Sequence, residues 1–185
     1  MVSCSMVEVL YAVSGESIAA FEREDFADGT VRVLRQRLAQ MIGVPRFRLR
    51  LLQDDCPLDD DQTLTDDQMT RQVVQLVILE FLPPDREQDQ GIMVACEEND
   101  DKLLERLLNQ PRNPNFEDES DESAMTPLCE AACKGSLKCV HLLLEAGANK
   151  DQATTATGTT PLFIAAHKGH LEVVRFLVES GANKD

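Results

Sequence analysis

The last third of the chain copies itself at a fixed offset. Thr126-Pro127-Leu128, Ala131-Ala132, Gly135 and Gly147-Ala148-Asn149-Lys150-Asp151 return 34 residues later as Thr160-Pro161-Leu162, Ala165-Ala166, Gly169 and Gly181-Ala182-Asn183-Lys184-Asp185. A period of this length means one supersecondary unit repeated in series. Threonine caps a helix N-terminus and proline suits its first position, so each Thr-Pro-Leu opens a helix. The paired alanines are small enough for a neighbouring helix to come close. Gly135 and Gly169 end that short helix in a left-handed turn. A second helix follows, with Leu137, Val140, Leu143 and Leu144, or Leu171, Val174, Leu177 and Val178, at three-to-four spacing. Gly147 and Gly181 stop it. Such a unit cannot bury its own apolar face and must stack on copies of itself.

These residues resemble the ankyrin repeat. A more degenerate copy precedes them at a shift of 36, from Ile92-Met93-Val94-Ala95-Cys96 through Leu103, Leu104, Leu107 and Leu108 to Pro111-Arg112-Asn113-Pro114-Asn115. It lacks the Thr-Pro opening and is charged on its flanks, as an N-terminal capping repeat would be. Cys129 and Phe163 stand where the family usually has histidine, and Ser136 where it often does, which weakens local hydrogen bonding between repeats. The outer apolar stripe of the final repeat has no polar cap after it. About three repeats is near the minimum for stability, so the chain is expected to be the front of a longer protein or to be closed by a partner.

Residues 83–90, two prolines followed by a polar run, read as a linker between an N-terminal domain, 1–82, and the repeats, 91–185. A second polar run, Phe116 to Ser123, reads as a long exposed loop. In the first domain Val7 to Tyr11, a turn at Ser14-Gly15-Glu16, and Ile18 to Phe21 form a strand pair. Asp28-Gly29-Thr30 then turns into a helix with Val31, Leu34, Leu38 and Met41 on one face, ended by Gly43 and Pro45. Arg46 to Leu52 forms a third strand; acidic loops and a Leu64-Thr65-Asp66 turn lead to a last strand, Val73 to Leu79. This ββαββ order, with Gly43-Val44-Pro45, Leu51-Leu52, Leu58-Asp59-Asp60 and Thr63-Leu64-Thr65-Asp66, resembles the ubiquitin-like β-grasp fold over residues 6 to 81. The expected fold class is therefore α+β: a β-grasp domain followed by an all-α solenoid. A conjugated modifier needs a free C-terminal Gly-Gly, whereas here Glu80-Phe81-Leu82-Pro83-Pro84 follows the last strand. There is no lysine before Lys102. The resemblance thus implies a recognition module fused to the repeats rather than a transferable tag.

The 185 residues carry 18 basic and 33 acidic side chains, a net charge of -15. The acid is densest in the middle, where residues 83–125 hold 4 basic and 13 acidic groups. Such a field repels phosphate backbones and anionic lipid, which argues against nucleic-acid and membrane partners. Tryptophan is absent and aromatics make up only 4%, so cores must be aliphatic and base-stacking platforms are nearly excluded. The N-terminus lacks the pattern of a signal peptide, so the chain is expected in the cytoplasm or nucleus. The six cysteines, without paired spacing, are expected to stay reduced there.

The candidate sites are surfaces. Alternation along the third strand turns Arg48, Arg50 and Leu52 away from Leu49 and Leu51, and the last strand offers Val77 and Leu79 beside Gln75. An apolar patch rimmed by arginine is how ubiquitin-like domains meet their receptors; the alternative is that Val77 and Leu79 are core, since both faces of that strand are apolar. Arg32, Arg35, Arg37, Arg46, Arg48 and Arg50 also cluster, but neighbouring acids largely cancel a phosphate site. In an ankyrin stack, the resemblance places the concave surface at Glu97 and Glu98, Cys133 and Lys134, and His167 and Lys168, with Glu122, Met125, Thr157 and Thr159 at the loop tips. That groove runs from acidic to basic. Cys129, Cys133 and His167 offer too few certain ligands for a metal. No histidine has a nucleophile partner in motif context, and no cofactor-binding motif is present. The expectation is a monomeric, non-enzymatic adaptor. Its repeats would hold a client protein while the first domain docks a second one, with components of the ubiquitin and proteasome system implied by resemblance. The alternative is the regulatory front of a longer enzyme, a ligase or kinase.

Overall fold

Alternation in the N-terminal half produces a mixed sheet. The computed structural model describes residues 6–12, 14–22, 30–64, 72–118 and 124–184, and the chain divides into two compact units, Met1–Glu80 and Phe81–Asp185. In the first, β1 (Met6–Tyr11), β2 (Ser17–Glu22), β3 (Leu49–Gln53), β4 (Cys56–Pro57) and β5 (Gln72–Ile78) lie in the order β2-β1-β5-β3-β4, with helix α1 (Val31–Ile42) after β2. The central pair, β1 and β5, is parallel and the other pairings are antiparallel. One face is the core: Val7, Val9, Phe21, Leu49, Leu51, Val74 and Leu76 pack with Val31, Leu34 and Leu38 of α1. Each such aliphatic side chain contributes about 1.5–3 kcal/mol by leaving water.

Several local readings change. Arg46–Arg48 is a 3-10 turn, and the third strand begins only at Leu49. Proline 45 opens that turn, and the Arg48 amide donates to its carbonyl at 2.9 Å. A short strand, β4, went unread because the two-residue hairpin before it is Asp54-Asp55, both left-handed (φ 50° and 63°), rather than the glycine-bearing pair that marks such turns. Met41 is 58% exposed; the buried stripe of α1 is Val31, Leu34, Arg35 and Leu38. Thr30 sits at the N-cap of α1 without a side-chain cap, because the carbonyls of Gln62 and Asp60 take the amides of Val31 and Arg32, each at 3.0 Å. The turns expected at Asp28-Gly29 and at Thr65-Asp66 lie outside the described residues.

The second unit is three helix pairs: α2 (Arg86–Glu97) and α3 (Asp101–Leu108), α4 (Pro127–Lys134) and α5 (Leu137–Glu145), α6 (Pro161–Lys168) and α7 (Leu171–Glu179). Of the run 83–90 expected to be linker, residues 86–90 are instead the start of α2. Asp85 caps it through the Glu87 amide, and Glu87 and Asp89 in its first turn complement the helix dipole. Thr126 and Thr160 cap α4 and α6 through the amides of Cys129 and Phe163, at 3.2 and 3.3 Å. Gly135 and Gly169, at φ 73° and 81°, end them. The helices form two layers, α2–α4–α6 and α3–α5–α7. Cys129, Ala131 and Ala132 are fully buried between neighbours, and the small alanine side chains let the helix axes approach. In the second helices Val140, Leu143 and Leu177 are buried as their spacing predicts, but Leu137 and Leu171 are exposed, while Cys139 and Val173 face the core. At the last repeat, Phe163 is 58% and Leu171 73% exposed, whereas Cys129, the counterpart of Phe163, is buried.

Candidate protein-binding surfaces

The layer α2–α4–α6 sets the first surface, because the 34-residue period brings the last turn of each first helix to the same edge. Glu97 ends α2 and Glu98 follows it; Cys133 and Lys134 end α4; His167 and Lys168 end α6. All are exposed except Cys133, which is half-buried. Lys134 is no isolated cation. Its Nζ lies 3.4 Å from both Glu97 and Glu130. Burial works against its charge, but the two carboxylates outweigh that and hold its pKa above the ordinary value. The acidic end of the edge is therefore partly neutralised, leaving Glu98. His167 stacks on Phe163, ring centroids 6.1 Å apart.

At the loop tips, Thr157 and Thr159 are held by each other at 2.7 Å and by buried Thr154 at 2.7 and 3.1 Å. Met125 is half-buried, and its carbonyl accepts from the Asp118 amide at 3.0 Å. Glu122 lies outside the described residues. Sequence reasoning missed the polar ladder beneath these tips. Asn115 Oδ1 accepts from the Asn149 amide at 2.6 Å and its Nδ2 donates to the Gly147 carbonyl at 3.3 Å. One repeat later Asp151 Oδ1 accepts from the Asn183 amide at 2.7 Å. The recurring Gly-Ala-Asn-Lys-Asp was the available signal: its polar residues join the loop of one repeat to the next. Thr155 adds a hydroxyl donated to Glu117 at 2.8 Å.

His170 is a second missed tie. Its Nε2 donates to the Cys133 carbonyl at 2.9 Å, linking the third repeat to the second. The ring lies over Gly135, where a Cβ would sit 2.4 Å from its Nδ1. One repeat earlier, the position of Gly135 is Asn99, also left-handed at φ 58°, and the position of His170 is Ser136. The positions agree in size: where the first carries a Cβ the second is serine, and where the first is glycine the second is histidine. His141, the remaining histidine, stacks on Phe176 at 4.8 Å and lies 3.5 Å from Glu145.

The second surface is the sheet face opposite the core. Arg50 pairs with Val77 and Leu52 with Gln75, while Leu51 and Leu76, paired with each other, are buried. Leu52 and Val77 therefore point away from the core and are half-exposed. Leu79 follows the strand. Arg48 is tied back to it: Arg48 Nε donates to the Leu79 carbonyl at 2.8 Å, and the Leu79 amide to the Arg48 carbonyl at 2.7 Å. Leu10, opposite Gln75, and Val73, opposite Glu8, extend the apolar strip and were not foreseen.

The arginine cluster is structural rather than anion-binding. Arg35 and Arg46 are 4% and 2% exposed and converge on Asp60. Arg35 Nη2 also donates to the Arg46 carbonyl at 3.0 Å. Burial lowers the Arg35 pKa, with Asp60 opposing. Arg46 covers the Phe47 ring at 4.1 Å, and Arg32 pairs with Asp61 at 3.2 Å. Cys129 is buried, which pushes its thiol pKa up, and among the described residues no group of three His, Cys, Asp or Glu could hold a metal ion.

A family model described as ankyrin repeats, in three copies, matches residues 92–185. Over 55 residues the chain is 47% identical to the potassium channel AKT1 of Arabidopsis thaliana, a stretch that is 30% of this chain and 6% of that channel. The matched segment thus spans a small fraction of that relative's length.

Proposed function

The chain belongs to the ankyrin-repeat family, and from that premise we propose that it is a non-enzymatic adaptor joining two proteins. Ankyrin repeats imply protein–protein interaction. The client would lie along the edge formed by Glu97 and Glu98, Cys133 and Lys134, and His167 and Lys168. The observation that carries this reading is the recurrence of those positions at the ends of α2, α4 and α6, one row of a single layer.

The first unit would be a ubiquitin-like module docking a second protein through Leu52, Val77 and Leu79 with Arg48 and Arg50. Supporting this reading are the strand order β2-β1-β5-β3-β4, the parallel central pair, helix α1 packed on one face, and an apolar strip on the other. The second partner would come from the ubiquitin and proteasome system, and the adaptor would work as a monomer in the cytoplasm or nucleus. The test is affinity capture with three full-length proteins: wild type, Leu52→Ala/Val77→Ala, and Lys134→Ala/His167→Ala. Each double variant should lose a different set of proteins. Loss of the same set from both, or of none from either, would refute the division of labour.

A further inference from the structure

Helices α4 and α6 open at Pro127 and Pro161, but α2 opens early. The 36-residue offset that relates Ile92 to Leu128 would start α2 at Gly91, and it starts at Arg86. This added turn is anchored from outside the helix. Buried Arg112 donates from Nη1 to the Pro83 carbonyl at 2.6 Å, and its Nη2 lies 3.5 Å from Asp85, the capping residue. Between the added turn and residues 116–118 lies a groove of about 640 Å³. Pro84, Met93 and Phe116 supply its apolar surface, and Asp89, Glu117 and Asp118 its carboxylates, against one base, the exposed Arg86.

We propose that this groove binds a peptide segment of a partner protein in which arginine stands beside apolar residues. The volume falls in the range of pre-formed ligand pockets. An arginine side chain matches both halves of the lining: its methylene stem packs on Met93 and Phe116, its guanidinium can stack on the aromatic face, and its five N–H groups suit carboxylate oxygens. Among the described residues Asp89 has no ionic partner to be displaced, while Glu117 accepts only a neutral hydroxyl, from Thr155. The acidity of residues 83–125 and of the chain as a whole draws a basic segment in before contact. An acidic or neutral apolar peptide gains the apolar contacts but meets repulsion or no partner at the carboxylates. The inference deepens the adaptor reading and rests on the repeats being a protein-binding stack.

The test titrates the full-length chain with the synthetic peptide acetyl-Leu-Arg-Leu-Arg-Leu-amide, and with the same peptide carrying citrulline for arginine, by calorimetry at low and moderate salt. Binding should be at least about fivefold tighter for arginine than for citrulline, and should weaken with salt. Asp89→Asn/Glu117→Gln should lower affinity by about fivefold or more, with an unchanged circular dichroism spectrum showing that the repeats remain folded. Phe116→Ala should weaken both peptides. Lys134→Ala/His167→Ala, at the edge assigned to the client, should leave the titration as it is. No binding, equal affinity for the citrulline peptide, or equal affinity of Asp89→Asn/Glu117→Gln would overturn the groove assignment. If client capture through the His167 edge persisted in those cases, the adaptor reading would stand without it.

Discussion

Gly135 and Gly169 hold the same position in successive repeats, and replacing each by alanine separates backbone strain from packing. Both are left-handed, so alanine costs about 1–2 kcal/mol at either site, offset by about 0.4–1 kcal/mol from the restricted unfolded chain. For Gly169→Ala nothing else lies within 4 Å of the new Cβ, and the net loss should be about 1 kcal/mol. At Gly135 the new Cβ would lie 2.4 Å from His170 Nδ1 and 2.7 Å from its Cγ and Cε1, against a ring held by the Cys133 carbonyl. The ring must leave. That forfeits a hydrogen bond worth about 1 kcal/mol and forces repacking of a half-buried side chain at about 1 kcal/mol more. Gly135→Ala should therefore cost about 3 kcal/mol. Urea unfolding followed by far-ultraviolet circular dichroism, which the helices dominate, measures the difference. His170→Ala alone should cost about 1 kcal/mol, and combined with Gly135→Ala should give about 2 kcal/mol in total, well short of additivity. Equal losses at the two glycines, or an additive double variant, would refute the steric coupling of Gly135 to His170. By the same geometry Ser136→His should destabilise the chain unless Asn99 is also made glycine.

Asp60→Asn removes the carboxylate on which buried Arg35 and Arg46 converge, and should cost about 3 kcal/mol or more, because a buried ion pair is broken; fluorescence of Tyr11, the single tyrosine, follows unfolding of the N-terminal unit. Leu51→Ala should cost about 2–5 kcal/mol and Leu52→Ala only about 0.5 kcal/mol, since the neighbouring side chains face opposite sides of the sheet; comparable losses would contradict the register. Cys56 should react quickly with a thiol reagent in the native protein, while buried Cys96 and Cys139 resist it until unfolding, as peptide mass spectrometry of the labelled chain would show. Burial, reinforced by Asp101 and Asp100, pushes the Cys139 thiol up to about 11 from an ordinary value of 9.0. Its folded form holds the proton more tightly than the unfolded form, so the repeat unit should show no dependence on this thiol below about pH 8.5 and lose stability between there and pH 11; Cys139→Ala should flatten that alkaline decline.

The repeats were legible because a period fixes register: once Thr-Pro and Gly recurred at 34, caps, turns and helix order followed. Within the second helices Val140, Leu143 and Leu177 faced inward as their spacing predicted, but the first apolar position did not. Apolar spacing allowed Leu137 or Cys139 to face inward, and packing against the preceding repeat chose Cys139. In the N-terminal unit, alternation gave the strands and the sense of Arg50 and Leu52, but the apolar residues of β5 left its own facing open until pairing with β3 resolved it. What sequence could not give was contact at a distance. Asp60 is remote in the chain from Arg35 and Arg46, and six arginines read as a surface cluster until two proved buried on one carboxylate. The early start of α2 was hidden because its added turn, Arg86 to Gln90, is polar throughout, so it carries no apolar signal. Among the residues assigned to the two surfaces, Lys134 and Arg48 are each also tied to groups brought to them by the fold.

A photo-crosslinking residue placed at one position at a time tests the adaptor assignment. Benzoylphenylalanine replacing His167 lies on the edge of the first helices, and replacing Leu52 it lies on the open face of the sheet. At Lys138 or Arg175, both exposed on the opposite layer, it serves as control. Illumination in cells should join one protein to the His167 position and a different protein to the Leu52 position, with little at Lys138 or Arg175. The same adduct at all four positions, or adducts confined to Lys138 and Arg175, would show that the chain does not bind its partners through these two surfaces.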